Sequence, residues 1–193
     1  MFKKEATPVK NQMVFQRYEI KYQMSRRQQQ AILAAMAPYV VPDEYSHSSI
    51  RNLYLDTPDF RLIRRSLERP VYKEKLRVRS YGRAGLEAPV FVELKKKYCS
   101  VVYKRRLTMP QREALDCIAG SASWPETQIG GELAYTAGFY AALRPAVFLS
   151  YERDSYRGVE DEAFRVTFDT EIRYRQEALT LNSDPWGIPI LPA

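Results

Sequence analysis

The sequence predicts an α+β fold, in which an antiparallel sheet or barrel carries helices at its ends or sides. Three observations support this prediction. About eight segments alternate apolar and polar residues with a period of two, and most of them follow one another directly along the chain. The helical segments are fewer. With 193 residues the chain has the length of one domain, and it can bury one sizeable core without disulfides or bound metal.

The first elements show the signals on which the assignments depend. Residues 1–13 are polar and are predicted to be a flexible lead-in, and residues 14–22 alternate as a strand does. Ser25 is placed to cap a helix over residues 26–37, which Pro38 ends. Similar signals predict strands at 50–55, 71–81, 90–97, 101–108, 147–154, 164–171 and 173–179, and helices at 57–67, 110–118 and 131–143.

Several classes of protein are excluded or disfavoured by composition. Cys99, Cys117 and the single His47 are too few for a disulfide framework or a four-ligand zinc site. His47 lies in a polar stretch without periodicity, so we predict a solvated loop residue and not a catalytic base. No segment approaches the ~20 apolar residues of a membrane helix, and the first residues lack the apolar part of a secretory signal. A cytoplasmic location is therefore predicted.

The polar faces of the strands carry the informative residues. Lys and Arg number 30 against 23 Asp and Glu, a net charge of +7. Many of these cations recur at every second position, and residues two apart in a strand share a face. The resulting rows are Arg17, Glu19 and Lys21; Lys75, Arg77 and Arg79; Glu93, Lys95 and Lys97; Lys104 and Arg106; Tyr151, Arg153 and Ser155; and Arg165, Thr167, Asp169 and Glu171. In a closed barrel these rows would converge on one interior.

Cations that face one another in such an interior need an anion between them. At an effective dielectric of about 20, each close pair repels by several kcal/mol. Phosphate chains fit best, because Arg forks and Lys ammonium groups form charge-assisted hydrogen bonds with phosphoryl oxygens. The interleaved carboxylates would then hold Mg²⁺ or Mn²⁺ against the phosphates. The open alternative is that these rows are the solvated outer faces of a sandwich.

Seven ordered motifs resemble the VTC domain, the vacuolar transporter chaperone type of polyphosphate polymerase, which belongs to the triphosphate tunnel metalloenzymes. The motifs are RYEIKY at 17–22, NLYLDTPDF at 52–60, RRSLE at 64–68, YKEKLRVRSYG at 72–82, FVELKK at 91–96, YER at 151–153 and FRVTFD at 164–169. The resemblance runs from about residue 14 to residue 192, nearly the whole chain. Seven motifs in order are far more specific than any one of them alone.

The resemblance implies an eight-stranded antiparallel tunnel with helices packed around it. It implies an enzyme that binds ATP, triphosphate and polyphosphate with Mn²⁺ or Mg²⁺ and transfers the ATP γ-phosphate to a growing chain. By analogy with eukaryotic relatives it implies a membrane-protein partner, and it leaves the oligomeric state open. The catalytic and phosphate-contacting positions are Lys21, Arg77, Arg79, Lys95, Arg153 and Arg165, with Lys75, Lys104 and Arg106 as further substrate-binding positions. The metal-binding positions are Glu93 and Asp169, with Glu19 and Glu171 as weaker candidates.

Two departures from the family pattern bear on function. Arg17 stands where the wider superfamily has the first acid of an acid-x-acid-x-Lys strand, which favours polyanion binding over simple triphosphate hydrolysis. The family pattern also continues into a last acid-x-Lys strand, so we expect the domain over residues 14–193 to be truncated at its C-terminal end. A tunnel triphosphatase and a non-catalytic polyphosphate-binding module stay as alternatives. Nucleic acid binding is disfavoured because the cations alternate within strands and do not form an exposed stripe.

Overall fold

The computed structural model describes residues 19–99 and 101–191, which form four helices and seven strands. In chain order these are α1 (Arg26–Met36), β1 (Val40–Asp56), α2 (Arg61–Leu67), β2 (Tyr72–Tyr81), β3 (Pro89–Tyr98), β4 (Val101–Pro110), α3 (Gln111–Ala119), α4 (Gln128–Tyr140), β5 (Arg144–Gly158), β6 (Arg165–Arg175) and β7 (Ile188–Pro189). The predicted α+β class is confirmed.

The seven strands form one antiparallel sheet in the order β4-β3-β2-β1-β5-β6-β7. The longest strands, β1 with 17 residues and β5 with 15, pair with each other at the centre of the sheet. Over the described part of the chain the sheet is open, with β4 and β7 at its two edges. An antiparallel sheet is thus confirmed, whereas eight strands and a closed tunnel are not found among the described residues.

Three strand predictions need correction. Residues 14–18 lie outside the described part of the chain, and residues 19–22 form no strand. The strand predicted at 50–55 is part of the longer β1, so His47 lies in a strand and not in a loop. The strands predicted at 164–171 and 173–179 are one strand, β6. The register with β5 shifts near Glu171, whose φ of 51° marks a bulge that bends β6 without ending it.

The helices begin and end at residues that satisfy free backbone groups. Ser25 and Gln28 form a reciprocal capping box at the start of α1. Asp56, the last residue of β1, accepts hydrogen bonds from two backbone N–H groups of α2. Thr127 caps α4, and Gly120 ends α3 with a φ of 78°. None of the helices in the described ranges is long and apolar enough to cross a membrane.

The hydrophobic core lies between one face of the sheet and helices α2, α3 and α4. Its fully buried side chains include Leu53, Leu76, Val78, Val92, Leu94, Ala114, Leu133 and Phe148. The hydroxyl of Tyr140, on α4, donates a hydrogen bond of 2.9 Å to the buried carboxylate of Glu74, on β2. Because successive side chains of a strand point to opposite faces, the residues that alternate with these core positions lie on the other face of the sheet.

The segment between β6 and β7 is arranged around one buried side chain. Arg175, 3% exposed, donates hydrogen bonds to the backbone carbonyls of Glu177, Ala178 and Trp186 and to Ser183 Oγ. Its guanidinium also lies 3.5 Å from the centre of the Phe148 ring and 4.7 Å from that of Trp186. Arg175 therefore joins several points of this loop to the end of β6.

We expect Leu133→Ala to lower the free energy of unfolding by about 2–5 kcal/mol, because it leaves a cavity between α4 and the sheet. Chemical denaturation in urea measures this change. Leu67→Ala is the matched control, since Leu67 is 73% exposed and its truncation should alter stability by less than about 0.5 kcal/mol. Equal losses in the two variants would contradict the position of α4 in the core.

Candidate anion-binding face

The sheet face opposite the core, here called the charged face, carries the basic side chains of neighbouring strands in register. Directly opposed residues of an antiparallel pair share a face. Across β4, β3, β2 and β1 the register therefore places side chains in rows. The arginine row contains Arg106, Glu93, Arg77 and Tyr54; the lysine row contains Lys104, Lys95 and Lys75; and a third row contains Phe91, Arg79 and Asn52. Seven of the predicted site residues are thus brought together.

Glu93 lies at the centre of this group and is 1% exposed. Its Oε2 accepts a 2.8 Å hydrogen bond from Arg77 Nε and lies 2.7 Å from Arg77 Nη2, and its Oε1 accepts hydrogen bonds from Arg106 at 2.8 and 2.6 Å. Lys104 Nζ lies 2.5 Å from Oε1, and Arg79 Nε lies 3.9 Å from Oε2. Four cationic side chains therefore share one carboxylate, and the group carries excess positive charge.

Burial and neighbouring charges act in opposite directions on the pKa values of Glu93 and Lys104. Burial alone acts to raise the pKa of Glu93, but the charges of Arg77, Arg79 and Lys104 outweigh it and hold this pKa well below its usual range. Burial lowers the pKa of Lys104 to about 8, although Glu93 acts in the opposite direction. Glu93 is thus a fixed counter-ion, whereas Lys104 gains or loses its proton close to neutral pH.

Neutral side chains hold the arginines in place, and the prediction of the site omitted them. Asn52 Oδ1 and the Tyr151 hydroxyl each accept a hydrogen bond of 2.9 Å from Arg79, which is 5% exposed. The Tyr54 hydroxyl accepts a 2.9 Å hydrogen bond from Arg77. Asn52 and Tyr54 alternate on one strand, and this spacing was visible in the sequence. Which arginine each of them contacts depends on the pairing of β1 with β2.

Arg153 and Asp169 form a second ion pair on β5 and β6. The guanidinium donates two hydrogen bonds to the carboxylate, at 2.6 and 2.7 Å, in the bidentate geometry of strong Arg pairs. It also lies 5.1 Å from the centre of the Tyr151 ring, and Tyr151 contacts Arg79. Tyr151 therefore connects this pair to the arginines of β2.

The remaining predicted site residues lie at the margins of the charged face. Glu19 accepts a 3.0 Å hydrogen bond from Lys95 and pairs with Lys21 at 3.2 Å, while Lys21 itself is 78% exposed. Burial acts to raise the pKa of Glu19, but Lys95 and Lys21 outweigh it and lower that pKa to about 2. Arg165, at the start of β6, is half exposed and donates a 2.8 Å hydrogen bond to Asp43.

The four carboxylates predicted as metal ligands do not gather at one point. Glu93, Asp169 and Glu19 each pair with Arg or Lys, and Glu171 is exposed at the bulge of β6. Within residues 19–99 and 101–191 no three or more His, Cys, Asp or Glu side chains are grouped to hold a metal ion. In these positions the four carboxylates do not form a site that would hold a metal ion without a ligand. Their role as metal ligands stays a prediction.

Comparisons with known proteins give one family. A family model described as the VTC domain matches residues 16–191 of this chain. Among solved structures, a Bacillus halodurans protein provisionally assigned as an adenylate cyclase aligns with a TM-score of 0.47 at 17% sequence identity, over 84% of this chain and 70% of that one. The search of curated proteins found no match.

We expect Glu93→Gln to lower the free energy of unfolding by about 3–5 kcal/mol, because it leaves four cations without their counter-ion. The added anion tripolyphosphate should raise the melting temperature of this variant more than that of the unaltered protein. Glu132→Gln is the matched control: Glu132 pairs with Lys96 and Arg105 and is 23% exposed, so a loss of about 1 kcal/mol and no added anion effect are expected. Equal behaviour of both variants would contradict the central role of Glu93.

Proposed function

The chain belongs to the VTC domain family, and on this basis we propose that it is a polyphosphate polymerase-like domain that transfers the γ-phosphate of ATP to a growing polyphosphate chain. The observation that carries the proposal is the group of four cations around the single carboxylate of Glu93. Such a group retains positive charge that a polyanion would neutralise. Triphosphate and polyphosphate supply that charge in a linear form that can follow the rows of the charged face.

The arginines are suited to hold the nucleotide triphosphate. Arg77 and Arg79 are fixed by Glu93, Asn52 and Tyr54, so little side-chain entropy is lost when they bind phosphoryl oxygens. The lysine row lies next to the arginine row, at a distance of two residues on each of β2, β3 and β4. Lysine binds phosphate as a mobile point charge and suits a chain that must move after each addition. Under this proposal Lys75, Lys95 and Lys104 hold the polyphosphate, with Lys21 at the margin.

The reaction would proceed by positioning and charge neutralisation. A terminal oxygen of the polyphosphate attacks the γ-phosphorus, the bond from that phosphorus to the β–γ bridging oxygen breaks, and ADP leaves with the bond's electron pair. Arg77 and Arg79 would stabilise the charge that develops on the transferred group, as preorganised donors do in other phosphoryl transfers. A divalent cation, Mg²⁺ or Mn²⁺, would arrive with the nucleotide as part of the substrate and neutralise phosphate charge.

The same proposal includes closure of the sheet. In an eight-stranded tunnel the rows of β2, β3 and β4 would face those of β5 and β6 across one channel. Arg153 and Arg165 would then contribute to the walls of the channel opposite Arg77. The shared charged face supports this arrangement, because the cations of all these strands would meet around one polyanion.

A non-catalytic polyphosphate-binding module is the second candidate. The observation that favours it is the pairing of Glu93 and Asp169 with arginine, which leaves these carboxylates committed to cations. Binding requires the cations alone, whereas turnover also requires that the phosphates be neutralised by a metal ion or by further cations.

Incubation with ATP and Mn²⁺ or Mg²⁺, followed by gel separation of polyphosphate and assay of ADP and free phosphate, tests these functions. Long chains with equimolar ADP support the polymerase; free phosphate without chains supports a triphosphatase; and binding without turnover supports the binding module. Arg77→Glu should abolish both chain synthesis and ATP binding. Arg112→Glu, an exposed charge reversal on α3, is the matched control and should change neither. Undiminished binding by Arg77→Glu would reject the assignment of the charged face.

The pKa of Lys104 predicts a pH dependence of polyphosphate binding. Burial has lowered this pKa to about 8, so the ammonium group loses its proton as pH rises through that value, while the internal phosphates of polyphosphate stay fully ionised. Affinity should therefore fall by about tenfold between about pH 7 and about pH 9, measured by calorimetry. Lys104→Met should bind more weakly and should lack most of this dependence. A Lys104→Met profile parallel to that of the unaltered protein would show that another group titrates.

A further inference from the structure

The charged face has two chemically different ends along the strand direction. Beyond the arginine row on one side lies the lysine row, with Lys73 and Lys97 opposite each other in the next position. On the other side of the arginine row lies Phe91, followed by Tyr81. Tyr81 and Tyr151 lie opposite Ile50 of β1, one on each neighbouring strand. Phe91, Tyr81 and Tyr151 are called the aromatic end below. A ligand made only of phosphate would not contact aromatic rings, so rings at one end of the face indicate a ligand with an aromatic part at that end.

The rings of the aromatic end are held by their neighbours. Tyr81 and Phe91 meet edge to face, with ring centres 5.6 Å apart and planes at 80°. The Arg106 guanidinium lies 4.5 Å from the centre of the Phe91 ring, and that arginine is itself bound to Glu93. The plane of Phe91 is thus fixed through the charged group, and Phe91 in turn orients Tyr81.

Tyr81 combines this orientation with an accessible surface. It is 50% exposed, whereas Tyr151 is buried and its ring and hydroxyl are used by Arg153 and Arg79. An exposed, oriented ring beside arginines matches what proteins use to stack the base of a nucleotide while cations hold its phosphates. Tyr81 and Arg77 are four residues apart on β2, about 14 Å along the strand, the scale of an extended nucleoside triphosphate.

We propose that Tyr81 is the stacking platform for the base of the nucleotide, so that the nucleotide lies with its base at the aromatic end and its γ-phosphate toward the lysine row. This inference rests on the proposed function and deepens it by giving the substrate a direction. The nucleotide enters from the side of the β2–β3 turn, residues 82–88, and the polyphosphate extends along the lysine row away from it. Tyr81 then contributes to the choice of a nucleotide over an inorganic phosphate donor.

Comparison of two ligands that differ by the nucleoside tests the inference. ATP and inorganic tripolyphosphate are titrated by calorimetry, each with and without Mg²⁺, into the unaltered protein and into variants of Tyr81. Tyr81→Ala should weaken ATP binding by about tenfold or more, the usual effect of removing one stacking ring, and leave tripolyphosphate binding unchanged. Tyr81→Phe, which keeps the ring, should retain the affinity for both ligands.

Tyr98→Ala is the matched control for the loss of an exposed ring. Tyr98 ends β3, is 54% exposed and points to the face opposite Phe91, so its loss should alter neither affinity. If Tyr81→Ala weakens both ligands equally or neither, the stacking role is wrong while the proposed function stands. If neither ligand binds the unaltered protein, both the proposed function and the inference are overturned.

Discussion

The charged face depends on the placement of one carboxylate between four cations. Glu93 is almost fully buried, and burial of a lone carboxylate would cost far more free energy than a small domain can supply. Burial of Arg77, Arg79, Lys104 and Arg106 side by side without Glu93 would be opposed by their mutual repulsion. The carboxylate therefore offsets the free-energy cost of burying the four cations, and the cations offset the cost of burying the carboxylate. The group remains positively charged after this compensation, and its geometry exists before any ligand arrives.

The register of the sheet extends the charged group around Glu93 into rows of side chains across several strands. The rows form because β1, β2, β3 and β4 pair without an irregularity where they carry the site. A slip by one residue in β3 would move Glu93 to the core side and bring Leu94 to the charged side. The buried Val92 and Leu94 of β3 oppose such a slip, because both of them would leave the core. Core packing therefore also fixes the positions of the cations.

The alternation of apolar and polar residues along single strands predicted which side chains share a face. The faces of β2, β3 and β4 follow directly from residues two apart, and the register places Arg77, Arg79, Lys95 and Lys104 on one face. Other features depend on contacts between strands that a single segment does not encode. Glu93 was expected to bind metal, but the register places four cations around it. The spacing of Glu171 predicts a regular strand position. Its backbone is instead in the left-handed region, at a bulge that depends on pairing with β5.

The loop that follows β6 shows how one side chain can replace regular secondary structure. The backbone carbonyls of Glu177, Ala178 and Trp186 converge on the guanidinium of Arg175, so peptide units from both ends of the loop share one donor group. Detachment of Arg175 would release these carbonyls together, while Leu181 would still be held in the core. Lysine has three donors on a single atom and lacks the planar fork, so it could not reach the same carbonyls at once. A residue outside the loop, the last residue of β6, therefore brings the two ends of the loop together.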